Sequence, residues 1–226
     1  MAKSSHPEIC EVVLVRHAHS MGNLKGILAG RDNQIGLSPR GQKEAIKLSH
    51  YLADVKFDAI YSSPLKRCNE TLAPLIDRTG ASIAFVDALV EMEYGEWSGQ
   101  ALKKLSKSAL WNLIQTRPST VRFPGGESFS EMSTRANQSI LDLAKGKNRI
   151  LVLSHGDVIK SIVAFHLGMP LDSFQRISID PASITTIRIP SSQVVHVNST
   201  SHLNKEDRIG KTKRDHFTLG GGQGRI

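Results

Sequence analysis

The chain contains no run of 18 or more apolar residues, so nothing in it reads as a membrane-spanning helix. Met1 to Cys10 carries no apolar stretch of signal-peptide type, and a cytoplasmic protein without membrane attachment is the expectation. Cysteine is scarce. Cys10 and Cys68 lie outside any CxxC pair, which excludes a disulfide framework and leaves two reduced, structural thiols. No carboxylate cluster and no His/Cys pair at ligand spacing occurs, so no metal is expected. There is also no RNA-binding aromatic signature, no zinc-finger spacing and no internal repeat.

What the sequence has in excess is positive charge, a formal +8. Such a balance suits an anionic partner, whether nucleic acid, a membrane surface or a phosphorylated metabolite. Part of it is local: from Asn204 to Ile226, Lys205, Arg208, Lys211, Lys213, Arg214 and Arg225 outnumber Glu206, Asp207 and Asp215. With 39% hydrophobic and 22% charged residues, the 226-residue chain suits one sizeable domain. We expect that domain over residues 8–203, with a disordered, basic, glycine-rich tail over 204–226.

Glu11–Val15 is a β-branched apolar run that stops at Arg16-His17, which predicts a buried strand ending at a polar loop. Phe57–Tyr61, Ser82–Val86, Arg149–Leu153 and Ile184–Ile189 predict further strands. Ser38-Pro39 places an N-cap and a first-turn proline ahead of Ala45, Leu48, Leu52 and Val55 at steps of three and four. Ser63-Pro64 repeats that start signal before Leu65, Cys68, Leu72, Leu75 and Ile76. Helices are also predicted from Ser128 to Lys145 and from Asp157 to Leu167, with residues 99–129 as a helical excursion over the sheet edge. The alternation implies an α/β three-layer sandwich, with a central, mostly parallel sheet and helices on both faces. Ligands in such folds bind at the carboxyl ends of strands.

Two histidines fall at such ends: His17 within Arg16-His17-Ala18-His19-Ser20, and His155 within Ser154-His155-Gly156-Asp157. Ala18 and Gly156, the small residues that follow them, let backbone N–H groups approach a ligand closely. A helix beginning at Asp157 would aim its partial positive charge at an anion. Arg67 opens the helix after a third junction, Ser62-Ser63-Pro64. Two arginines, two histidines and helix termini facing one point describe a pocket for a phosphate dianion.

The segment Leu14–Ser20, with Asn23 six positions after His17, resembles the Arg-His-Gly signature of the histidine phosphatase superfamily, which includes the cofactor-dependent phosphoglycerate mutases. The resemblance continues through Leu37–Gly41, Ser62–Arg67, Glu91–Gly99, Gly125-Gly126-Glu127-Ser128 and Ser154-His155-Gly156, covering roughly residues 11–190 in order. Phe174–Ser183 is similar to a bacterial subgroup labelled as phosphomutases. One departure is Ala18 where the usual residue is glycine; the loop survives if φ is negative there.

The resemblance implies that His17 is a covalent nucleophile, its second ring nitrogen held by an acceptor such as a backbone carbonyl. Arg16, Arg67 and His155 would hold the nonbridging phosphate oxygens, and Asn23 would add a neutral donor. Glu91, four residues before Gly95, would be the general acid, while Glu93 would face elsewhere. His19, Gly156 and Tyr94 complete the expected substrate-binding set, and packing is the expected role of Trp97. Fixed cationic side chains would replace a metal ion, and no cofactor is implied. The expected activity is metal-independent hydrolysis of a small phosphorylated metabolite through phosphohistidine. Two alternatives stay open, a mutase-type phosphotransferase and a non-catalytic nucleic-acid-binding or adaptor protein on the same fold. The modest span from Gly99 to Gly125 and the Gly-Gly-Glu-Ser motif favour the phosphatase branch. Specificity is assigned to residues 99–129 and loop 24–36, and oligomeric state is left open.

Overall fold

The computed structural model of the chain describes residues 9–203. Both the expected tail over 204–226 and residue 8 therefore lie outside the described residues. Among the described residues, six strands, β1 (Cys10–Arg16), β2 (Ala59–Ser62), β3 (Ala84–Phe85), β4 (Arg149–Ser154), β5 (Ile184–Ile189) and β6 (Gln193–Ser199), form one sheet in the order β3-β2-β4-β1-β5-β6. The pairings β1–β4, β2–β4 and β2–β3 are parallel, whereas β5 and β6 run antiparallel at one edge.

Among the described residues, seven helices accompany the sheet: α1 (Met21–Lys25), α2 (Pro39–Leu52), α3 (Lys66–Thr79), α4 (Leu102–Leu105), α5 (Ala109–Thr116), α6 (Phe129–Leu143) and α7 (Gly156–His166). Side chains of a strand alternate between faces, and the two apolar clusters follow that period. Val12, Leu14, Ile150 and Val152 pack with Met132, Ala136 and Ile140 of α6 and Ile159 and Ile162 of α7. Val13, Val15, Leu151 and Leu153 pack with Leu48 and Leu52 of α2 and Cys68, Leu72 and Leu75 of α3. Helices thus cover both faces, as the alternating pattern predicted.

Local signals account for several helix starts. Ser38 accepts a hydrogen bond from Gly41 N with Pro39 in the first turn, and Ser128 forms a capping box with Glu131. The Ser63-Pro64 signal is misplaced: α3 begins two residues later, at Lys66, with no side-chain cap. Ser63 Oγ meets His155 Nε2 at 2.8 Å and accepts only a long bond from Leu65 N, at 3.4 Å, so its shorter contact is tertiary. Residues 99–129 carry α4, α5 and a 3₁₀ turn, Pro118–Thr120, in agreement with a helical excursion. The short helix α1 and the edge strand β6 were not foreseen, and the strand predicted over Ser82–Val86 shrinks to Ala84–Phe85. Among the described residues no helix is long and apolar enough to cross a membrane.

Candidate active site

Parallel register places Arg16 beside Ser154 and Ser62 beside Leu153, so β1, β4 and β2 end side by side. His17 and His155 therefore leave neighbouring strands at one level, with ring centroids 5.3 Å apart. Arg16, His17, Arg67, Glu91 and His155 are each 4% exposed or less. Charges in so dry a centre act at low effective dielectric.

The two histidines have opposite tautomers. A carbonyl only accepts, so the 2.8 Å contact between His17 Nδ1 and Ala18 O puts the proton on Nδ1 and leaves the lone pair on Nε2. At His155, Arg67 Nη2 donates to Nδ1 at 3.1 Å, so the proton sits on Nε2 and points to Ser63 Oγ. Burial, followed by the charges of neighbouring arginines, pushes both imidazoles well below their ordinary value. Both rings are therefore neutral at pH 7.

Arg67 Nη2 also donates to Gly30 O at 2.7 Å, and its buried Nε has no hydrogen-bond partner among the described residues. Arg16 Nη1 donates to Ile179 O at 2.6 Å, which ties β1 to the loop before β5. Among the described residues no side chain caps α7, whose first residue, Gly156, follows His155, so the positive end of the helix falls beside that ring. Ala18 is absent from the residues with positive φ, and its methyl packs with Leu37, Ala45, Ala182 and Leu203. The loop tolerates alanine on both counts. Ala18 N also donates to Thr71 Oγ1, which in turn donates to Arg67 O at 2.6 Å.

Burial and then the nearby Asp157 carboxylate raise Glu91 to about 7. Its backbone sits in an irregular segment packed on residues 123–127. A Cβ on Gly126 would lie 2.3 Å from Glu93 O, and one on Gly95 2.1 Å from Pro124 O. Only glycine permits that approach. The Glu93 side chain pairs with Arg31 at 3.4 Å instead of joining Glu91.

Three expected substrate contacts have other work. Tyr94 is buried in the core, and its hydroxyl donates to Asp157 Oδ2 at 2.7 Å; Lys160 Nζ meets Asp157 Oδ1 at 3.2 Å. Tyr94 therefore orients Asp157. His19 is tied to the start of α2, with Nδ1 2.8 Å from Ser38 Oγ, and burial then Arg40 lower its ring to about 4. Asn23 Oδ1 accepts from Ser20 N and Ser20 Oγ in the capping box of α1, leaving only its amide nitrogen for a ligand. Trp97 packs edge-on against Phe123. Among the described residues no group of three His, Cys, Asp or Glu side chains is arranged to hold a metal ion.

Sequence reasoning gave no role in the site to Thr71, Ser63, Asp157, Arg31, Glu127 and Arg135, whose side chains hydrogen-bond to the site residues or to the backbone beside them. Glu127 lies in the Gly-Gly-Glu-Ser motif and Arg31 in loop 24–36, but neither position carried a role. Thr71 and Arg135 are ordinary helix residues with no signal at all.

The sequence matches the family profile "Histidine phosphatase superfamily (branch 1)" over residues 12–200. It is 28% identical over 201 residues to phosphoserine phosphatase 1 of Hydrogenobacter thermophilus, covering 86% of this chain and 95% of that protein. It is 31% identical over 160 residues to a 2,3-bisphosphoglycerate-dependent phosphoglycerate mutase of Cytophaga hutchinsonii, covering 67% and 75% of the two chains. The fold superimposes on a mutant phosphoserine phosphatase from Entamoeba histolytica, solved in complex with phosphoserine, with a TM-score of 0.78 and 25% identity; 86% of this chain and all of that chain are covered. Paired strand-end histidines, two buried arginines and a profile match spanning the whole sheet agree: the chain belongs to the histidine phosphatase superfamily, branch 1.

Proposed function

We propose that the protein hydrolyses a small phosphomonoester through a phosphohistidine on His17. The observation that carries the reading is the fixed tautomer of His17: Nδ1–H is held by Ala18 O, and Nε2 keeps its lone pair in a site flanked by cationic side chains. In the first step Nε2 attacks phosphorus in line and the bond to the ester oxygen breaks. Glu91, protonated about half the time near pH 7, gives its proton to that oxygen. Arg16, Arg67 and the N-terminus of α7 stabilise the charge spread over the nonbridging oxygens, while His155, whose only N–H faces Ser63, holds the Arg67 guanidinium through Nδ1. In the second step Glu91 takes a proton from water, the water oxygen attacks phosphorus, and the P–N bond returns its electron pair to Nε2. Inorganic phosphate leaves and the enzyme is regenerated.

The relatives named phosphoserine phosphatase support hydrolysis and make O-phosphoserine the first substrate to try. The relative named phosphoglycerate mutase keeps a second reading alive, in which a substrate hydroxyl replaces water in the second step. A screen of phosphorylated metabolites for phosphate release separates the two. For the intermediate, rapid quench with ³²P-labelled substrate is expected to trap an acid-labile, alkali-stable adduct that His17→Ala abolishes. Label on a serine or aspartate would reject the mechanism.

A further inference from the structure

Three side chains outside the set assigned to phosphate and proton transfer hydrogen-bond to the backbone at and beside Glu91. We propose that Arg135, Glu127 and Arg31 form a clamp that positions Glu91, a role that rests on the reading of Glu91 as the acid. The carboxyl itself takes one hydrogen bond among the described residues, from Met92 N at 2.9 Å. Its direction is therefore set by the backbone that carries it.

That backbone is gripped from two elements. Arg135, on α6, uses its whole donor set. Nη1 donates to the carbonyls of Ala88 and Val90 at 2.8 and 2.9 Å, and Nη2 to that of Glu91 at 3.2 Å. Nε and Nη2 fork onto Glu127 Oε2 and Oε1 at 3.0 and 2.6 Å. Arg31 converges on the same acceptors, with Nε 3.0 Å from Glu91 O and Nη2 3.1 Å from Glu127 Oε1. Glu93 N adds a bond to Glu127 Oε1 at 2.9 Å. Burial opposes the charge on Glu127, but the bonds from Arg135 outweigh it and hold the carboxyl below its ordinary range. It is an anion joining two cations.

Arg31 also links this clamp to the phosphate side. The carbonyls of its neighbours, Gly30 and Asp32, accept from Arg67 at 2.7 and 3.4 Å. One tripeptide thus touches the phosphate arginine with its backbone and the acid's backbone with its side chain. Lysine cannot reproduce the grip of Arg135, because an ammonium has three donors on a point charge and no fork.

The test compares Arg135→Lys, Glu127→Gln and Glu91→Gln in single-turnover phosphorylation. The substrates are O-phosphoserine, whose alkoxide must be protonated, and p-nitrophenyl phosphate, whose phenolate is stable. Arg135→Lys and Glu127→Gln are expected to lose about 10²-fold on O-phosphoserine and less than about tenfold on p-nitrophenyl phosphate, as for a group displaced by an ångström. Inhibition by inorganic phosphate should stay within about threefold, because the cradle is intact. Equal loss on both substrates, weakened phosphate inhibition or full activity would overturn the clamp. A substrate contrast in Glu91→Gln but not in the other two removes the clamp alone; no contrast in Glu91→Gln removes the acid assignment and the clamp with it. Should Arg135→Lys fail to fold, Arg31→Gln serves, since that side chain is 35% exposed. The same contrast is expected there, on the order of tenfold, with an unchanged thermal midpoint; its absence overturns the proposal.

Discussion

His17 and His155 stand one residue beyond hydrogen-bonded parallel strands, whereas Glu91 stands in an irregular stretch between two 3₁₀ turns, Asp87–Leu89 and Gly95–Trp97. The proposed phosphate side is positioned by the sheet ladder: where β1 and β4 end, the histidines must follow. The acid side has no ladder. Backbone carbonyls that would pair within a strand are free there, and arginine side chains take them. The two halves of the site should therefore fail differently, one by loss of charge stabilisation and the other by loss of aim.

The largest expected effect lies on the acid side. Glu91→Gln should slow phosphorylation by O-phosphoserine by roughly 10²–10⁴-fold, yet affect p-nitrophenyl phosphate far less. Single-turnover quench measures both rates, and equal losses would reject Glu91 as the leaving-group acid. The native rate with O-phosphoserine should also fall as pH rises above about 7, where Glu91 loses its proton.

Next comes the phosphate side. Arg67→Ala should lower turnover on both substrates alike, by about 10²–10³-fold, if it behaves as a preorganised donor to the transition state. A loss confined to one substrate would mean that Arg67 acts on the leaving group, and the contrast between the two halves would break.

The smallest effect is thermodynamic. Glu91 ionises near 7 in the folded chain against an ordinary 4.5, so the folded state holds its proton more tightly. The associated stability is present below about 4.5 and is lost as pH rises through about 7. Glu91→Gln carries no such charge. Its stability relative to the native chain should improve by roughly 1–3 kcal/mol between about pH 5 and about pH 8.5. Urea denaturation at both values checks this, and a pH-independent difference would mean that Glu91 is better solvated than its burial implies.

Most of the fold and the phosphate side were legible because both depend on short-range pattern. Val12 to Val15 alternate between two apolar clusters, and the run stops where Arg16-His17 begins. Residues 99–129 could be assigned only a helical character, since α4 and α5 are short and pack through tertiary contacts. The strand β6, with exposed and half-buried side chains along its length, lacks the apolar run that marked the others. Among site residues, the signature motif pointed to His17 and Glu91, but it carried no sign that the polar atoms of Tyr94 and His19 are engaged by Asp157 and Ser38.

By itself the sequence determined the strands β1 to β5, which two of them end in histidine, and that arginines and a helix terminus accompany them; apolar period and chain order suffice for that. Only the tertiary structure decided the tautomer of each histidine, the raised proton affinity of Glu91 and the convergence of Arg31 and Arg135 on one carbonyl. A tautomer depends on which acceptor lies within 3 Å, and a proton affinity on burial and neighbouring charge. Arg31 and Arg135 meet at Glu91 across more than 40 residues of chain on either side, a distance over which no local pattern carries information.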